Sequence, residues 1–123
     1  MARILIVEDN EDNLDMLLRR LQRRGFEIVV AMNGAEGVEM AQQHLPDVIL
    51  MDIDLPIMDG LEATRRIKAA PDTGHIPVVA LTANAMVGDM ERTLAAGCDA
   101  YEAKPVDMPH LLDTIARMLN GKA

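Results

Sequence analysis

The chain has 123 residues, of which 50% are hydrophobic, and carries a formal net charge of -8 at pH 7. This length suits a single globular domain, which we place at 1–123 with no separate output domain. The negative charge disfavours anionic partners, so we expect no nucleic-acid and no membrane binding. The apolar runs are too short for a membrane span and the N-terminus lacks a signal-peptide pattern, which together predict a cytoplasmic protein.

Short apolar runs alternate with helix-length segments along the whole chain. This alternation predicts a parallel sheet whose strands are joined by right-handed crossovers, with helices on both faces. The predicted strands are ILIV (4–7), EIVVA (27–31), VILM (48–51), VVAL (78–81) and a weaker DAYEA (99–103).

Apolar residues recur at helical spacing after the first and last strands, and both stripes are expected to pack on the sheet. The first stripe is Leu14, Leu17, Leu18 and Leu21; the last, after Asp107 as a predicted N-cap, is Met108, Leu111, Leu112, Ile115 and Leu119.

The fourth helix has a poorer apolar stripe than the first and last helices. Its segment VGDMERTLAAGC offers only Met86, Met90 and Leu94 for packing. We therefore expect it to be the most loosely packed helix and to respond to events at a neighbouring site. The face formed by helix 4, strand 5 and helix 5 is accordingly the expected surface for a downstream protein target.

Polar side chains follow four of the predicted strands. Because parallel strands end at the same edge of a sheet, these side chains are expected to meet there. They are Glu8 and Asp9 after the first strand, Asp52 after the third, Thr82 after the fourth, and Lys104 with Pro105 after the fifth.

This inventory suits phosphoryl transfer. Clustered carboxylates raise one another's pKa unless a cation neutralises them, and Mg²⁺ prefers oxygen ligands of this kind. An ionised carboxylate can attack phosphorus to give an acyl phosphate, while a lysine, a hydroxyl and a metal ion stabilise the transferring oxygens. Asp52 is the central candidate for the nucleophile.

The same residues resemble the receiver domain of two-component response regulators, and the resemblance covers essentially the whole chain. The segments HIPVVALTANAM and AGCDAYEAKPV are most similar to stand-alone receivers of the DivK type and to the receivers of hybrid kinases. The matching motifs are Glu8-Asp9-Asn10, Asp52 with Pro56 and Asp59-Gly60, Leu81-Thr82-Ala83, and Lys104-Pro105.

The resemblance implies a flavodoxin-like, doubly wound α/β fold with five (βα) units and a parallel sheet of order 2-1-3-4-5. It also implies that Asp52 accepts phosphate from a phosphohistidine on a sensor histidine kinase or a histidine phosphotransfer protein. By the same likeness Mg²⁺, with Mn²⁺ as a substitute, is bound by Asp9 directly, by Glu8 through water, by Asp52, and by the main-chain carbonyl of Asp54.

Further roles follow from the resemblance for residues around the acceptor. Thr82 would hydrogen-bond the phosphoryl group, Lys104 would pair with it, and Tyr101 would turn inward as Thr82 moves. The Lys104–Pro105 peptide bond is expected to be cis. A receiver assists its own phosphorylation and dephosphorylation, so no small-molecule turnover is expected.

A haloacid dehalogenase hydrolase is the alternative, because that class also places a DxD pair after an apolar strand. Asp52 would then be the nucleophile and Asp54 the general acid. The chain departs from the hydrolase pattern at Pro56, and its acidic pair precedes the nucleophile. Turnover of a small phosphate monoester separates the two interpretations. A calcium loop fails because Pro56 and Ile57 stand where a ligand and a glycine are required.

Overall fold

The computed structural model describes residues 2–55, 57–83 and 87–121. Five strands alternate with five helices, as the apolar pattern predicts. The elements are β1 (Arg3–Val7), α1 (Glu11–Arg23), β2 (Glu27–Ala31), α2 (Gly34–His44), β3 (Val48–Asp52), α3 (Gly60–Ala69), β4 (Val78–Thr82), α4 (Val87–Ala95), β5 (Ala100–Ala103) and α5 (Met108–Asn120). Pro56 and Met86, which the sequence patterns include, lie outside the described residues.

All strand pairings are parallel, and the order is β2-β1-β3-β4-β5. This confirms the expected doubly wound topology. In such a sheet the carboxyl ends of β1, β3, β4 and β5 lie along one edge, where open α/β folds bind their ligands. Among the described residues, no helix combines the length and the hydropathy that a membrane-spanning segment needs.

Alternating side chains of the central strands fill two separate core layers, because successive residues of a strand point to opposite faces. On one face Ile4, Ile6 and Leu50 pack with α1 and α5 residues such as Leu17 and Leu111. The other layer contains strand residues such as Leu5, Ile49 and Met51, together with Ala41 of α2 and Ala63 and Ile67 of α3. The sheet therefore packs against α1 and α5 on one face and against α2 and α3 on the other.

In the part of the chain that the structure describes, α1, α2, α3 and α5 each follow a residue whose side chain caps the first turn. Asp107 accepts a hydrogen bond from the His110 N–H, which confirms the predicted N-cap of the last helix. Asn10, Asn33 and Asp59 cap α1, α2 and α3 in the same way. A cap of this type stabilises a helix by about 1 kcal/mol, so these residues fix where α1, α3 and α5 start beneath the sheet edge.

The fourth helix buries neither of the two stripe residues that the structure describes, and its loose packing stays a prediction. Met90 is 46% exposed and Leu94 is 52% exposed, so neither belongs to the core. Thr93 of α4 and Ala96, which directly follows the helix, are buried. Thr93 donates its hydroxyl hydrogen bond to the Met90 carbonyl oxygen, so its polar atom has a partner within the helix. This small side chain therefore packs inward, whereas the larger apolar side chains of Met90 and Leu94 face solvent.

The fifth strand begins at Ala100, one residue after the predicted start. Asp99 instead accepts hydrogen bonds from the Val78 N–H and from the Lys68 ammonium. With these two hydrogen bonds Asp99 stabilises the turn that precedes β5, a position at which Asp is common.

Candidate functional site

Asp52 is the last residue of β3 and is only 3% exposed. Its neighbours in the sheet place other polar groups around it. Val7 pairs with Met51, so Glu8 lies just past β1 beside Asp52, and Leu81 pairs with Asp52, so Thr82 lies one residue further along β4. The register of the parallel strands thus brings together residues that are far apart in the chain.

Glu8, Asp9 and Asp52 form a carboxylate cluster. One oxygen from each lies within 4.8 Å of the others. Glu8 and Asp52 are buried, whereas Asp9 is exposed at the rim. Three carboxylates at this separation repel one another unless a positive group lies between them. The cluster is open to solvent on the side of Asp9, where a hydrated cation could enter.

Lys104 is the positive group of the site. Its ammonium donates hydrogen bonds to Glu8 Oε1 at 2.9 Å and to Asp52 Oδ2 at 3.0 Å. Burial alone would lower the pKa of Lys104, but its hydrogen bonds to Glu8 and Asp52 raise it above the ordinary value. Lys104 therefore remains charged and holds the two buried carboxylates together.

The backbone around Lys104 fixes its approach to the site. Its N–H donates to the Thr82 carbonyl oxygen at 2.7 Å, which extends the pairing of β5 with β4 by one residue. The peptide bond between Lys104 and Pro105 is cis. The Lys104 side chain extends toward β1 and β3, where its ammonium meets Glu8 and Asp52.

The Glu8 carboxyl group has a pKa raised from 4.5 to about 7. Burial is the main cause, and the hydrogen bond and negative charge of Asp52 add to it, while Lys104 opposes them. Both Glu8 oxygens have partners, since Oε2 accepts from the Asn10 N–H at 3.2 Å. A carboxyl group that titrates near neutrality, beside a second carboxylate, is typical of a functional site.

The loop after β3 contacts the Asp52 side chain. The Asp54 N–H donates to Asp52 Oδ1 at 3.0 Å, so the Asp52 carboxylate is oriented by Asp54 on one oxygen and by Lys104 on the other. Gly60 donates its N–H to the Ile53 carbonyl oxygen, and a Cβ at Gly60 would collide with the Asp52 carbonyl oxygen. Only glycine permits this close approach of the α3 N-terminus.

The remaining predicted site residues lie on β4, on β5 and in the loop after β3. Thr82 is buried at the end of β4. Tyr101, which pairs with Ala80, is half-buried. In the part of the chain that the structure describes, the Tyr101 hydroxyl is buried without a hydrogen-bond partner. The Asp54 side chain is exposed, and the part of its carbonyl in metal binding stays a prediction.

Comparison with known proteins decides the family. Residues 4–116 match the model of the response regulator receiver domain. The chain belongs to this family. It is also 44% identical over 116 residues to the polar-differentiation response regulator DivK of Brucella anthropi, with 94% of each chain covered.

Solved receiver domains share the fold. A receiver domain of a sensor histidine kinase from Pseudomonas aeruginosa, solved with a magnesium ion coordinated in its active-site cleft, is 38% identical, with a TM-score of 0.91 over 97% of this chain and 98% of that one. The chemotaxis response regulator CheY4 of Vibrio cholerae is 29% identical, with a TM-score of 0.90 over 97% and 99% of the two chains. Receiver domains act in two-component signalling. Membership of this family therefore favours the receiver interpretation over the haloacid dehalogenase hydrolase.

Sequence reasoning missed one polar group of this receiver domain, the buried carboxylate of Glu102. It lies on β5 two residues before Lys104 and contacts His110 and Thr114 of α5. The signal was present in the sequence: Glu102 lies at an inward position of a short strand, and His110 and Thr114 are four residues apart, on one face of a helix. Their meeting depends on how α5 packs against β5.

Proposed function

We propose that Asp52 accepts a phosphoryl group from a phosphohistidine on a sensor histidine kinase or a histidine phosphotransfer protein. The observation that carries this proposal is the buried Asp52 carboxylate, held at 3.0 Å by Lys104 within the cluster of Glu8 and Asp9. Membership of the receiver family supports it. Residues 1–123 act as one receiver unit in this exchange.

Mg²⁺ is the proposed cofactor, with Mn²⁺ able to replace it. The donor set fits a hard divalent ion, because three carboxylates each offer an oxygen within 4.8 Å of the others. Asp9 and Asp52 would bind the ion directly, Glu8 through water, and Asp54 through its main-chain carbonyl. When bound, the ion neutralises negative charge on the carboxylates and on the phosphoryl oxygens. The magnesium in the related Pseudomonas aeruginosa receiver domain supports this choice.

In the proposed step an Asp52 carboxylate oxygen attacks phosphorus. The new O–P bond forms an acyl phosphate, the P–N bond of the phosphohistidine breaks, and its electron pair returns to the imidazole nitrogen. Lys104 moves its hydrogen bond from Asp52 to a phosphoryl oxygen, and the Thr82 hydroxyl donates to another. The ammonium and the hydroxyl thereby stabilise charge that the carboxylate alone would repel.

Phosphorylation then alters a partner surface. The Thr82 hydroxyl turns toward the phosphoryl group and Tyr101 follows it inward, which changes the face formed by α4, β5 and α5. Two observations support this face as the contact for a downstream protein target: Met90 and Leu94 are exposed apolar residues of α4, and β5 is an edge strand. Exposed apolar groups beside a strand edge are favourable contacts for another protein.

An assay that separates phosphoryl uptake from turnover tests the proposal. With Mg²⁺ and acetyl phosphate, the protein should take up one phosphoryl group per chain, and with p-nitrophenyl phosphate it should release no p-nitrophenol catalytically. Uptake should disappear in Asp52→Asn. Steady release of p-nitrophenol, with no stable uptake, would support a hydrolase and contradict a phosphoacceptor.

A further inference from the structure

A buried carboxylate links β5 to α5 beside the acceptor site. Glu102 is 5% exposed, and each of its oxygens has a partner on α5. Thr114 donates its hydroxyl to Oε2 at 2.7 Å, and His110 Nδ1 lies 2.7 Å from Oε1. Arg117 in turn donates to the Thr114 hydroxyl oxygen at 3.1 Å. We call Glu102, His110 and Thr114 the β5–α5 clamp.

Burial alone does not explain a carboxylate at this position. Ala100, two residues earlier on the same face of β5, packs in the apolar layer between the sheet and the helices α1 and α5. A leucine at position 102 would continue that layer without the loss of hydration that a buried charge entails. Unlike a leucine, a carboxylate makes directional contacts. Its two short hydrogen bonds to α5 fix how the helix is placed relative to the strand.

The clamp closes the loop that carries Lys104. The chain runs from Glu102 through Lys104 and the cis bond to Pro105, and returns at His110 in the first turn of α5. On the sheet side the loop is held by the Lys104 N–H on the Thr82 carbonyl oxygen. On the helix side the clamp joins the two ends of the loop, because Glu102 precedes the loop and His110 follows it. This loop, which we call the Lys104 corner, is therefore held on both sides. It directs the Lys104 ammonium to Asp52 and Glu8.

We propose that Glu102 is a positioning residue, which with His110 and Thr114 holds the Lys104 corner in the geometry needed for phosphoryl acceptance, and that a proton on His110 tightens this hold. The inference rests on the proposed function of Asp52. Glu102 acts through Lys104 and does not touch the reacting atoms.

His110 supplies the pH dependence. Its pKa is raised above 6.5, first by the hydrogen bond to Glu102 and then by the charge of that carboxylate. Asp107 also raises it, and Arg117 on the same helix lowers it. The ring is 63% exposed, so it exchanges protons readily with solvent. The charged form of the clamp is present at low pH and is lost as pH rises through the raised pKa of His110.

Substitutions within the clamp test its effect on the reaction rate. Glu102→Leu and Thr114→Val should each slow phosphorylation by acetyl phosphate at saturating Mg²⁺ by about tenfold, because a displaced Lys104 meets the phosphoryl group poorly. Glu102→Gln keeps an acceptor for Thr114 and should recover much of that rate. Urea unfolding of each variant gives its stability separately. Variants that lose stability but keep the parental rate would show a merely structural clamp and overturn the inference.

A histidine pair tests the pH dependence. The ratio of the parental rate to the His110→Ala rate should be about threefold at pH 6, below the raised pKa of His110, and should fall as the pH rises through that pKa. Because both proteins retain Glu8, its titration cancels in this ratio. His75→Ala, which removes an exposed histidine outside the clamp, should match the parent at every pH. A ratio that does not change with pH, or an equal change in His75→Ala, would overturn the role of His110.

Failure of the inference differs from failure of the proposed function. If the parent takes up phosphate at Asp52 while all clamp variants match its rate and pH profile, the function stands and the clamp is not a positioning device. If the parent takes up no phosphate, both are wrong.

Discussion

Nζ of Lys104 lies 3.0 Å from Oδ2 of Asp52, and this contact joins β5 to β3 across the carboxyl edge of the sheet. The same ammonium lies 2.9 Å from Glu8, so one cation serves two buried carboxylates. The proposed mechanism needs that cation at the phosphoryl oxygens, and the first prediction concerns its removal.

Lys104→Met should slow phosphorylation of Asp52 by acetyl phosphate about 100-fold, the usual effect of losing one donor to a transition-state oxygen. Stopped-flow or quenched-flow rates at saturating Mg²⁺ measure it. Lys68→Met is a matched control, because Lys68 is 20% exposed against 18% for Lys104 and pairs with Asp99 away from the site. Equal slowing in both variants would assign the effect to general destabilisation.

The raised pKa of Glu8 predicts how stability depends on pH in EDTA. Because the folded pKa of about 7 lies above the ordinary 4.5, the protonated Glu8 favours the folded state. This contribution is complete below pH 4.5 and is lost as pH rises through 7. The free energy of unfolding of the parent should therefore fall relative to Glu8→Gln by at most about 3 kcal/mol over this range.

Urea denaturation of both proteins across pH measures the Glu8 effect. Adding Mg²⁺ above neutral pH should restore stability to the parent more than to Glu8→Gln, because a bound cation offsets the ionised carboxylate. A difference between the two proteins that stays constant, or that rises with pH, would contradict the assigned pKa shift.

Asp54 adds a negative charge two residues after Asp52, the proposed acceptor. Its side chain is exposed, so water screens it. At an assumed separation of about 7 Å, repulsion of an incoming phosphoryl charge is about 0.6 kcal/mol in bulk water, or roughly threefold in rate. Asp54→Asn should therefore accept phosphate from acetyl phosphate about threefold faster at low salt and saturating Mg²⁺.

The salt dependence of that rate separates repulsion from other effects. The advantage of Asp54→Asn should shrink as salt screens the charge. Asp72→Asn removes an exposed carboxylate from the turn after α3 and should leave the rate unchanged. An equal or slower rate for Asp54→Asn at low salt would mean that the Asp54 carboxylate assists the reaction.

The exposed side of α4 predicts an unequal effect of two leucine substitutions. Leu94 is 52% exposed, and Leu111 of α5 is completely buried. Leu94→Ala should change the free energy of unfolding by no more than about 0.5 kcal/mol, whereas Leu111→Ala should lower it by about 3 kcal/mol. Urea unfolding measures both. A loss of about 2 kcal/mol or more in Leu94→Ala would place Leu94 in the core.

The sequence predicted the central strands β1, β3 and β4 well because they are buried on both faces and read as short apolar runs, as in Ile4 to Val7 and Val48 to Met51. It also placed Glu8, Asp52, Thr82 and Lys104 at one edge, since parallel strands end together. The strand order did not follow from periodicity and came from the family resemblance.

Two features escaped prediction because they depend on packing between elements. The stripe of Met90 and Leu94 faces solvent because Thr93 packs inward, and hydropathy alone does not choose threonine over leucine. The contact of Glu102 with His110 requires the angle at which α5 lies on β5. Neither relationship is local in the sequence.

The most direct test of the proposed function is intact-protein mass spectrometry after incubation with acetyl phosphate. The parent with Mg²⁺ should gain one phosphoryl group, and peptide mapping should place it on Asp52. The same protein in EDTA, and Asp52→Asn with Mg²⁺, should remain unmodified. Phosphate uptake by Asp52→Asn equal to that of the parent, or uptake unaffected by EDTA, would contradict the assignment of Asp52 as a metal-dependent phosphoacceptor.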